Sequence, residues 1–268
     1  MSPKDRDKFY IFWTIAIFMC LLLAVFVLVY TSASRGGSQS EKADLNTAQE
    51  SAESPAVEVA EQSPNLASDS LLAQTADKGS DYLNQLIFLG DVTSYDLAYY
   101  YAVPTNQVWT TADHTLSLAN EATAQIAYPD TSENLTIAQA AARKKPAYIV
   151  VTLGHDDISL GKDVFKKKYG DLISSIWSAS PSTVVICQSI FPVIDNLAGS
   201  VTNARISTAN AWIIELCDEM GCRYLNTHDA LADSSGALQA DYSGSDGIQL
   251  SVVGCGIVTT YVKTHGYQ

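Results

Sequence analysis

The side chains with the greatest chemical potential fall in three short segments. Asp91, Thr93 and Ser94 belong to Gly90-Asp91-Val92-Thr93-Ser94-Tyr95, His155, Asp156 and Asp157 are consecutive, and Asp246 opens Asp246-Gly247-Ile248-Gln249-Leu250-Ser251. With His114, these imidazoles and carboxylates form a set that zinc or another divalent ion accepts, provided the fold brings them to one edge. Their linear spacing contains no paired-ligand pattern. Each group also has an ordinary alternative: Asp91 caps a helix or bonds backbone amides, His114 pairs with Asp156, and His155 is exposed. No metal and no cofactor is therefore expected. The hydroxyls of Thr93 and Ser94 are nucleophiles by atom type, but neither has an activating base at a suitable position. Short hydroxyl residues after Asp91 are read first as helix caps.

Alternating elements must position these segments. Strand-like apolar runs occur at Leu86 to Leu89, Ala147 to Leu153, Thr183 to Ile190 and Cys222 to Leu225, and long amphipathic stretches separate most of them. Phe165, Tyr169, Leu172, Ile173 and Ile176 share one face of a predicted helix, as do Ile206, Ala209, Ile213 and Leu216 of another, which Gly221 closes as a left-handed cap. A short helix is predicted over Thr136 to Arg143, and short extended pieces at Gln107 to Thr110 and Thr123 to Ala127. Such alternation predicts an α/β fold, a three-layer sandwich with a central parallel sheet. In that architecture the loops leaving the carboxyl ends of the strands carry the site, and here they begin at Gly90, Gly154 and Ser189, with the Asp246 loop closing from the chain end.

The chain has 268 residues and a formal net charge of −13, and its composition changes sharply along its length. Residues 9–30 form an almost unbroken apolar run in which Thr14 is the one plainly polar member. At about 1.5 Å per residue the run is long enough to cross a hydrocarbon core, and it exceeds the roughly 7 to 15 apolar residues of a cleaved signal peptide. Lys4, Arg6 and Lys8 precede it, so residues 1–8 are expected to be a cytoplasmic tail, 9–30 a transmembrane helix and uncleaved signal anchor, and the remainder extracytoplasmic. Residues 31–80 are rich in Ser, Ala, Gln and Glu and lack aromatic residues, which predicts a disordered linker. Residues 81–268 are expected to make one domain.

The net negative charge argues against a nucleic-acid partner, and the basic clusters Arg143-Lys144-Lys145 and Lys166-Lys167-Lys168 are small enough to sit on solvated helix faces. Four cysteines, Cys187, Cys217, Cys222 and Cys255, fall in the domain. They contain no Cys-x-x-Cys spacing and no neighbouring histidine pair, so they are read as buried small hydrophobes, with Cys217 and Cys222 as the pair to examine for a disulfide.

At the Gly90 and Asp246 segments the chain resembles the SGNH/GDSL hydrolase superfamily, whose first block is usually Gly-Asp-Ser and whose last is Asp-x-x-His before the terminal helix. Gln107-Val108-Trp109-Thr110, Ile149-Val150-Val151-Thr152-Leu153-Gly154 and Gln188-Ser189-Ile190-Phe191-Pro192-Val193 resemble those of a bacterial, membrane-anchored envelope branch. The resemblance covers most of residues 81–268 and implies a flavodoxin-like three-layer sandwich. It also implies that each family-defining position is substituted. The nucleophile falls on Val92, the backbone oxyanion donor on His114, the side-chain donor on Asp156 and the base on Gln249, while Asp246 retains the residue that would orient the base.

Val92 has no lone pair with which to attack a carbonyl, and the Gln249 amide accepts no proton near neutral pH. An ionised Asp156 would place negative charge where an oxyanion needs a donor. The resemblance thus implies a degenerate esterase fold acting as a glycan-binding or scaffolding module at the cell envelope, with an envelope glycan or acylated polymer as ligand. In this reading Asp91, Thr93, Ser94, His155 and Asp157 line the retained groove, and Tyr95, Tyr99, Tyr100 and Tyr101 offer rings to a sugar. The competing expectation is an active esterase or carbohydrate deacetylase using a displaced nucleophile or a metal-bound water.

Overall fold

A computed structural model describes residues 68–268 apart from 130, 196, 198 and 200. The tail, the apolar run at 9–30 and the linker up to residue 67 lie outside the described residues. Among the described residues, no helix is long and apolar enough to cross a membrane.

Five strands, β1 (Leu86–Gly90), β2 (Val108–Trp109), β5 (Tyr148–Thr152), β6 (Val184–Gln188) and β7 (Arg223–Leu225), form a sheet in the order β2-β1-β5-β6-β7. Every pairing is parallel, with Leu86 opposite Tyr148, Ile149 opposite Val185 and Cys187 opposite Tyr224. A two-stranded antiparallel ribbon of β3 (Gln125–Ala127) and β4 (Asn134–Thr136) stands apart from it. Parallel neighbours require crossovers, and helices supply them. The helices are α1 (Gly79–Leu83), α2 (Val92–Tyr99), α3 (Ile137–Lys144), α4 (Lys162–Ala179), α5 (Asn203–Met220), α6 (Thr227–Leu231) and α7 (Val252–Thr264).

The strands are apolar on both faces because both faces are covered. Ile87, Leu89, Ile149, Val151, Val185, Cys187 and Tyr224 pack into one layer with α3, α4 and α5. Their sequence neighbours Leu86, Phe88, Val150, Ile186 and Leu225 point the other way, into a layer with residues of α2, α6 and α7, as the two-residue period of a strand dictates. Burying one such side chain contributes about 1.5–3 kcal/mol, which makes the register hard to slip.

Helix α4 buries Phe165, Tyr169, Leu172, Ile173 and Ile176, the stripe legible in the sequence. Helix α5 buries Ile206, Ala209, Ile213 and Leu216, adds Asn210 and Cys217 to that face, and ends at Gly221 with φ 76°. Asn210 is on the buried face for a polar reason: its amide accepts from Ile190 N at 2.8 Å and donates to Ile190 O at 3.1 Å, fixing the loop after β6. Helix α3 opens with a capping box in which the Thr136 hydroxyl and the Gln139 side chain exchange bonds with each other's backbone amides, satisfying two groups that a helix start leaves open.

The folded unit begins earlier than residue 81. Tyr224 N donates to Ser70 O at 2.9 Å and Leu72 N to Tyr224 O at 2.9 Å, so residues 70–72 run along the outer edge of β7. Thr75 N and Lys78 N then donate to Thr264 O and Lys263 O at 2.6 and 3.0 Å, tying the segment to the end of α7. Leu71 and Leu72 interrupt the polar stretch with apolar area, and the open edge of β7 offers the backbone partners that let Leu72 be buried and Leu71 partly so. The expected linker boundary at 80 is corrected accordingly.

Candidate active site

The carboxyl ends of β1, β5 and β6 meet at one edge. After Gly90 the chain turns directly into α2, and Asp91 caps it: its Oδ1 accepts from Thr93 N at 2.9 Å and from the Thr93 hydroxyl at 2.7 Å. The cap is therefore the Asp91 carboxylate, one of the roles the sequence allows it, and not the hydroxyl of Thr93 or Ser94. Gly90 has no room for a side chain, since a Cβ there would lie 2.2 Å from Ser94 Oγ and 2.4 Å from Thr152 O. Ser94 fills the space beneath it, 2 % exposed, and its hydroxyl has no hydrogen-bond partner among the described residues. Val92 begins the helix and is half-buried.

Beyond β5, His155 is buried and Asp156 is exposed, with Nδ1 and Oδ1 3.4 Å apart. His155 Nε2 is buried without a partner. The expected pairing of His114 with Asp156 is not the one adopted. His114 instead stacks on Tyr95, ring centroids 3.6 Å apart and planes 14° apart. Asp157 turns away from the edge and binds the loop above it, its two oxygens accepting from Leu118 N at 2.7 Å and Ala119 N at 3.1 Å.

The chain end supplies the opposite wall. Asp246 Oδ1 accepts from Ile248 N at 3.0 Å and Gln249 N at 2.9 Å, so this carboxylate folds its own loop. Asp96, from the buried side of α2, accepts from Leu250 N at 2.9 Å and locks that loop to the helix.

Asp91, Thr93, Thr152, Leu153, His155, Ile190, Phe191 and Ile248 line a cleft at this edge. Its volume is about 10 Å³, the space of roughly one water. A larger cavity of about 410 Å³, lined by Asn84, Gln107, Lys144 and Lys145 among others, opens at the amino-terminal ends of β1 and β5. Parallel sheets place their chemistry at the carboxyl ends, which favours the small cleft as the site. Of the residues singled out from the sequence, Asp91, Thr93 and His155 line it, whereas Ser94 and Asp157 do not.

The edge is electrostatically negative. Burial pushes the Asp91 carboxyl up; bonds from Thr93 and the nearby His155 pull it down, and Asp156 pushes it up again. Burial raises Asp96 to about 7 against the Leu250 amide, with Asp246 and Asp91 adding repulsion. Asp156 is held low, chiefly by His155. Among the described residues, these histidines and carboxylates do not form a metal-ligating group; the one cluster with ligand atoms close enough is Cys187, Cys217 and Cys222, elsewhere in the fold. His114, held in its stack, and Asp157, bound to a different loop, are committed to contacts of their own.

The profile of the GDSL-like lipase/acylhydrolase family matches residues 97–256. The chain belongs to that family. Similar solved structures include a GDSL-like lipase from Bacteroides thetaiotaomicron, 16% identical with a TM-score of 0.49 over 72% of this chain and 90% of that one. An acetyl xylan esterase from Geobacillus stearothermophilus is 12% identical with a TM-score of 0.46, covering 68% and 94% of the two chains. A DUF4886 family protein from Bacteroides uniformis is 15% identical with a TM-score of 0.49, covering 68% and 86%. No curated protein matches the chain.

For this GDSL-like acylhydrolase chain, the position read as the second-block glycine is instructive. His114 has φ 60°, the left-handed backbone that glycine adopts without penalty. Its amide donates to Thr111 O at 3.0 Å, so that N–H is committed to a turn. Two further elements of the site escaped sequence reasoning. One is Asp96, which lies beyond the quoted block and is one helical turn from Val92. The other is a buried relay in which the Thr152 hydroxyl donates to Gln188 Oε1 at 2.8 Å and Gln188 Nε2 donates to the Thr227 hydroxyl at 2.6 Å. The polar residue Gln188 at the end of an apolar strand was the available signal for it.

Proposed function

We propose that this member of the family is a membrane-anchored, extracytoplasmic module that has lost hydrolase turnover and binds an envelope glycan or acylated polymer, or scaffolds at the cell envelope. One observation carries the loss of turnover: the first turn of α2 has no available serine or threonine hydroxyl. Val92 offers none, the Thr93 hydroxyl is bound to Asp91 at 2.7 Å, and the Ser94 hydroxyl is buried below Gly90. In the chain-end loop Gln249, an amide, falls where the resembled family has its base, and Asp246 uses its Oδ1 on the loop amides. Removing both nucleophile and base from such a triad costs on the order of 10⁴ to 10⁶ in turnover.

The ligand reading rests on surface chemistry and on the resemblance of the five blocks. Tyr99 and Tyr101 are exposed, 59% and 91% accessible, at the end of α2 and in the turn after it. Such rings suit the apolar faces of sugars. The anchor and the extracytoplasmic location rest on the apolar run at 9–30 and the basic residues before it.

Hydrolysis of acetyl and butyryl esters by the natural chain, beside a Val92→Ser, Asp156→Asn, Gln249→His triple variant, tests the reading. An inert natural chain and turnover in the variant are expected. Turnover by the natural chain overturns it, and glycan-array binding without turnover supports the ligand assignment. One observation favours the second reading, an active esterase or carbohydrate deacetylase: His155 lines the cleft with a free Nε2 and Asp156 at its Nδ1, an arrangement that can activate a water. Ester turnover abolished by His155→Gln would establish that alternative.

A further inference from the structure

Three cysteines from three elements meet inside the larger core layer. Cys187 is on β6, Cys217 is in the last turn of α5, and Cys222 follows the Gly221 cap just ahead of β7. All are free and buried, 0%, 0% and 3% exposed. Their sulfurs lie within 4.8 Å of one another, and Cys187 and Cys222 are 3.7 Å apart. Only Cys217 and Cys222 stand out as neighbours in the linear chain, because the spacing of metal-binding motifs reflects local loops, whereas Cys187 is brought to them by a parallel crossover.

We propose that Cys187, Cys217 and Cys222 form a buried three-sulfur site for a soft, low-coordinate metal ion of the monovalent copper class. The first argument is geometric. An ion at the centre of a sulfur triangle with metal–sulfur bonds of about 2.3 Å requires sulfur separations of about 4.0 Å. The observed spread, from 3.7 to at most 4.8 Å, brackets that value, so the ion is accommodated by side-chain adjustments alone.

The second argument is coordination number. Among the described residues, no fourth His, Cys, Asp or Glu ligand atom joins the group. Structural zinc is almost always four-coordinate, while thiolate donors also select monovalent copper. An all-sulfur, three-donor site therefore fits copper better than zinc.

A disulfide is the obvious competitor. The register sets Cys187 opposite Tyr224, two residues beyond Cys222. Parallel strands about 4.8 Å apart and a rise of about 6.6 Å over two residues put the Cys187 and Cys222 Cα atoms roughly 8 Å apart, beyond the reach of an unstrained bridge.

Binding exchanges a proton for the ion: Cu(I) joins the three sulfurs and displaces one thiol proton to solvent, so that the net charge of the site is unchanged, with no change of oxidation state. Burial penalises net charge, so the ion's charge must be closely matched by the protons lost. The nearest exposed neighbour in sequence is Gly221, adjacent to Cys222.

The test uses the full chain, fully reduced in mild detergent without oxygen, titrated with Cu(I) against bicinchoninate. One ion per chain by native mass spectrometry, sulfur-only coordination by X-ray absorption, and a raised Tm are expected. Cys217→Ala or Cys222→Ser should weaken binding by more than the about 10- to 100-fold loss caused by removing a group that merely orients a ligand. Cys255→Ser, in the opposite core layer, should leave it unchanged. Because the absorption measurement needs only the natural chain, misfolded variants do not rescue the idea. Binding retained in the Cys187, Cys217, Cys222 triple variant, oxygen or nitrogen donors at the copper, a Cys187–Cys222 disulfide formed in preference to copper binding, or tight Zn(II) without Cu(I) uptake each overturns it.

Discussion

Asp96 Oδ2 accepts the Leu250 amide at 2.9 Å across 154 residues of sequence, joining the helix after the first block to the loop of the last. This buried carboxyl has an ordinary value of 3.8, and burial first, then repulsion from Asp246 and Asp91, raises it to about 7 against the pull of the Leu250 amide. Between those values the native state binds more protons than the unfolded chain. Its contribution to stability is therefore full below pH 3.8 and is lost as pH rises through about 7. Asp96→Asn keeps an acceptor for Leu250 and removes the titration. Its Tm should exceed that of the natural chain at pH 8 by about 2–4 °C, the effect of about 1 kcal/mol in a domain of this size, with no advantage at pH 4. Parallel Tm curves for the two chains from pH 4 to 8 would refute this.

Asp157 anchors the Leu118–Ala119 turn through both carboxylate oxygens. Asp157→Ala strands two amides, one buried and one half-buried, and is expected to destabilise the fold by about 2–4 kcal/mol in urea unfolding. A loss below about 0.5 kcal/mol would show that the loop finds other partners.

Ser94 and Gly90 test whether a displaced serine works in this site. Since the Ser94 hydroxyl is buried and unpartnered, Ser94→Ala should leave stability unchanged or raise it by up to about 1 kcal/mol, and any ester turnover should survive it. Gly90→Ala forces a methyl against Ser94 Oγ and Thr152 O and should cost about 1–3 kcal/mol or more. Loss of turnover in a stable Ser94→Ala protein would make Ser94 a nucleophile and reverse the interpretation.

Asp91 combines a structural and a site position. Asp91→Ala removes the cap on Thr93 N and frees the Thr93 hydroxyl, with an expected cost of about 1 kcal/mol. Esterase activity gained on this substitution and lost again in Asp91→Ala, Thr93→Val would identify the freed hydroxyl as competent; no gain is expected, because Thr93 is one position from where the resembled family's nucleophile falls, and such a displacement re-aims the hydroxyl.

The sequence by itself determined the layers. The apolar runs that became β1, β5, β6 and β7 and the stripe from Phe165 to Ile176 depend on local periodicity, and periodicity survives in the linear chain. It also located the loops at the carboxyl edge, since a parallel sheet leaves few choices. Tertiary structure decided which polar atoms were free. Thr93 and Ser94 are adjacent hydroxyls in sequence, yet one is bonded to Asp91 and the other lies beneath Gly90. His155 and Asp157 differ by two positions, yet one lines the cleft and the other binds a loop some 40 residues earlier. The meeting of Cys187 with Cys217 and Cys222, and of Asp96 with Leu250, required a crossover to close. Pairings between distant segments are set by packing of the whole core, and no local pattern in the chain encodes them.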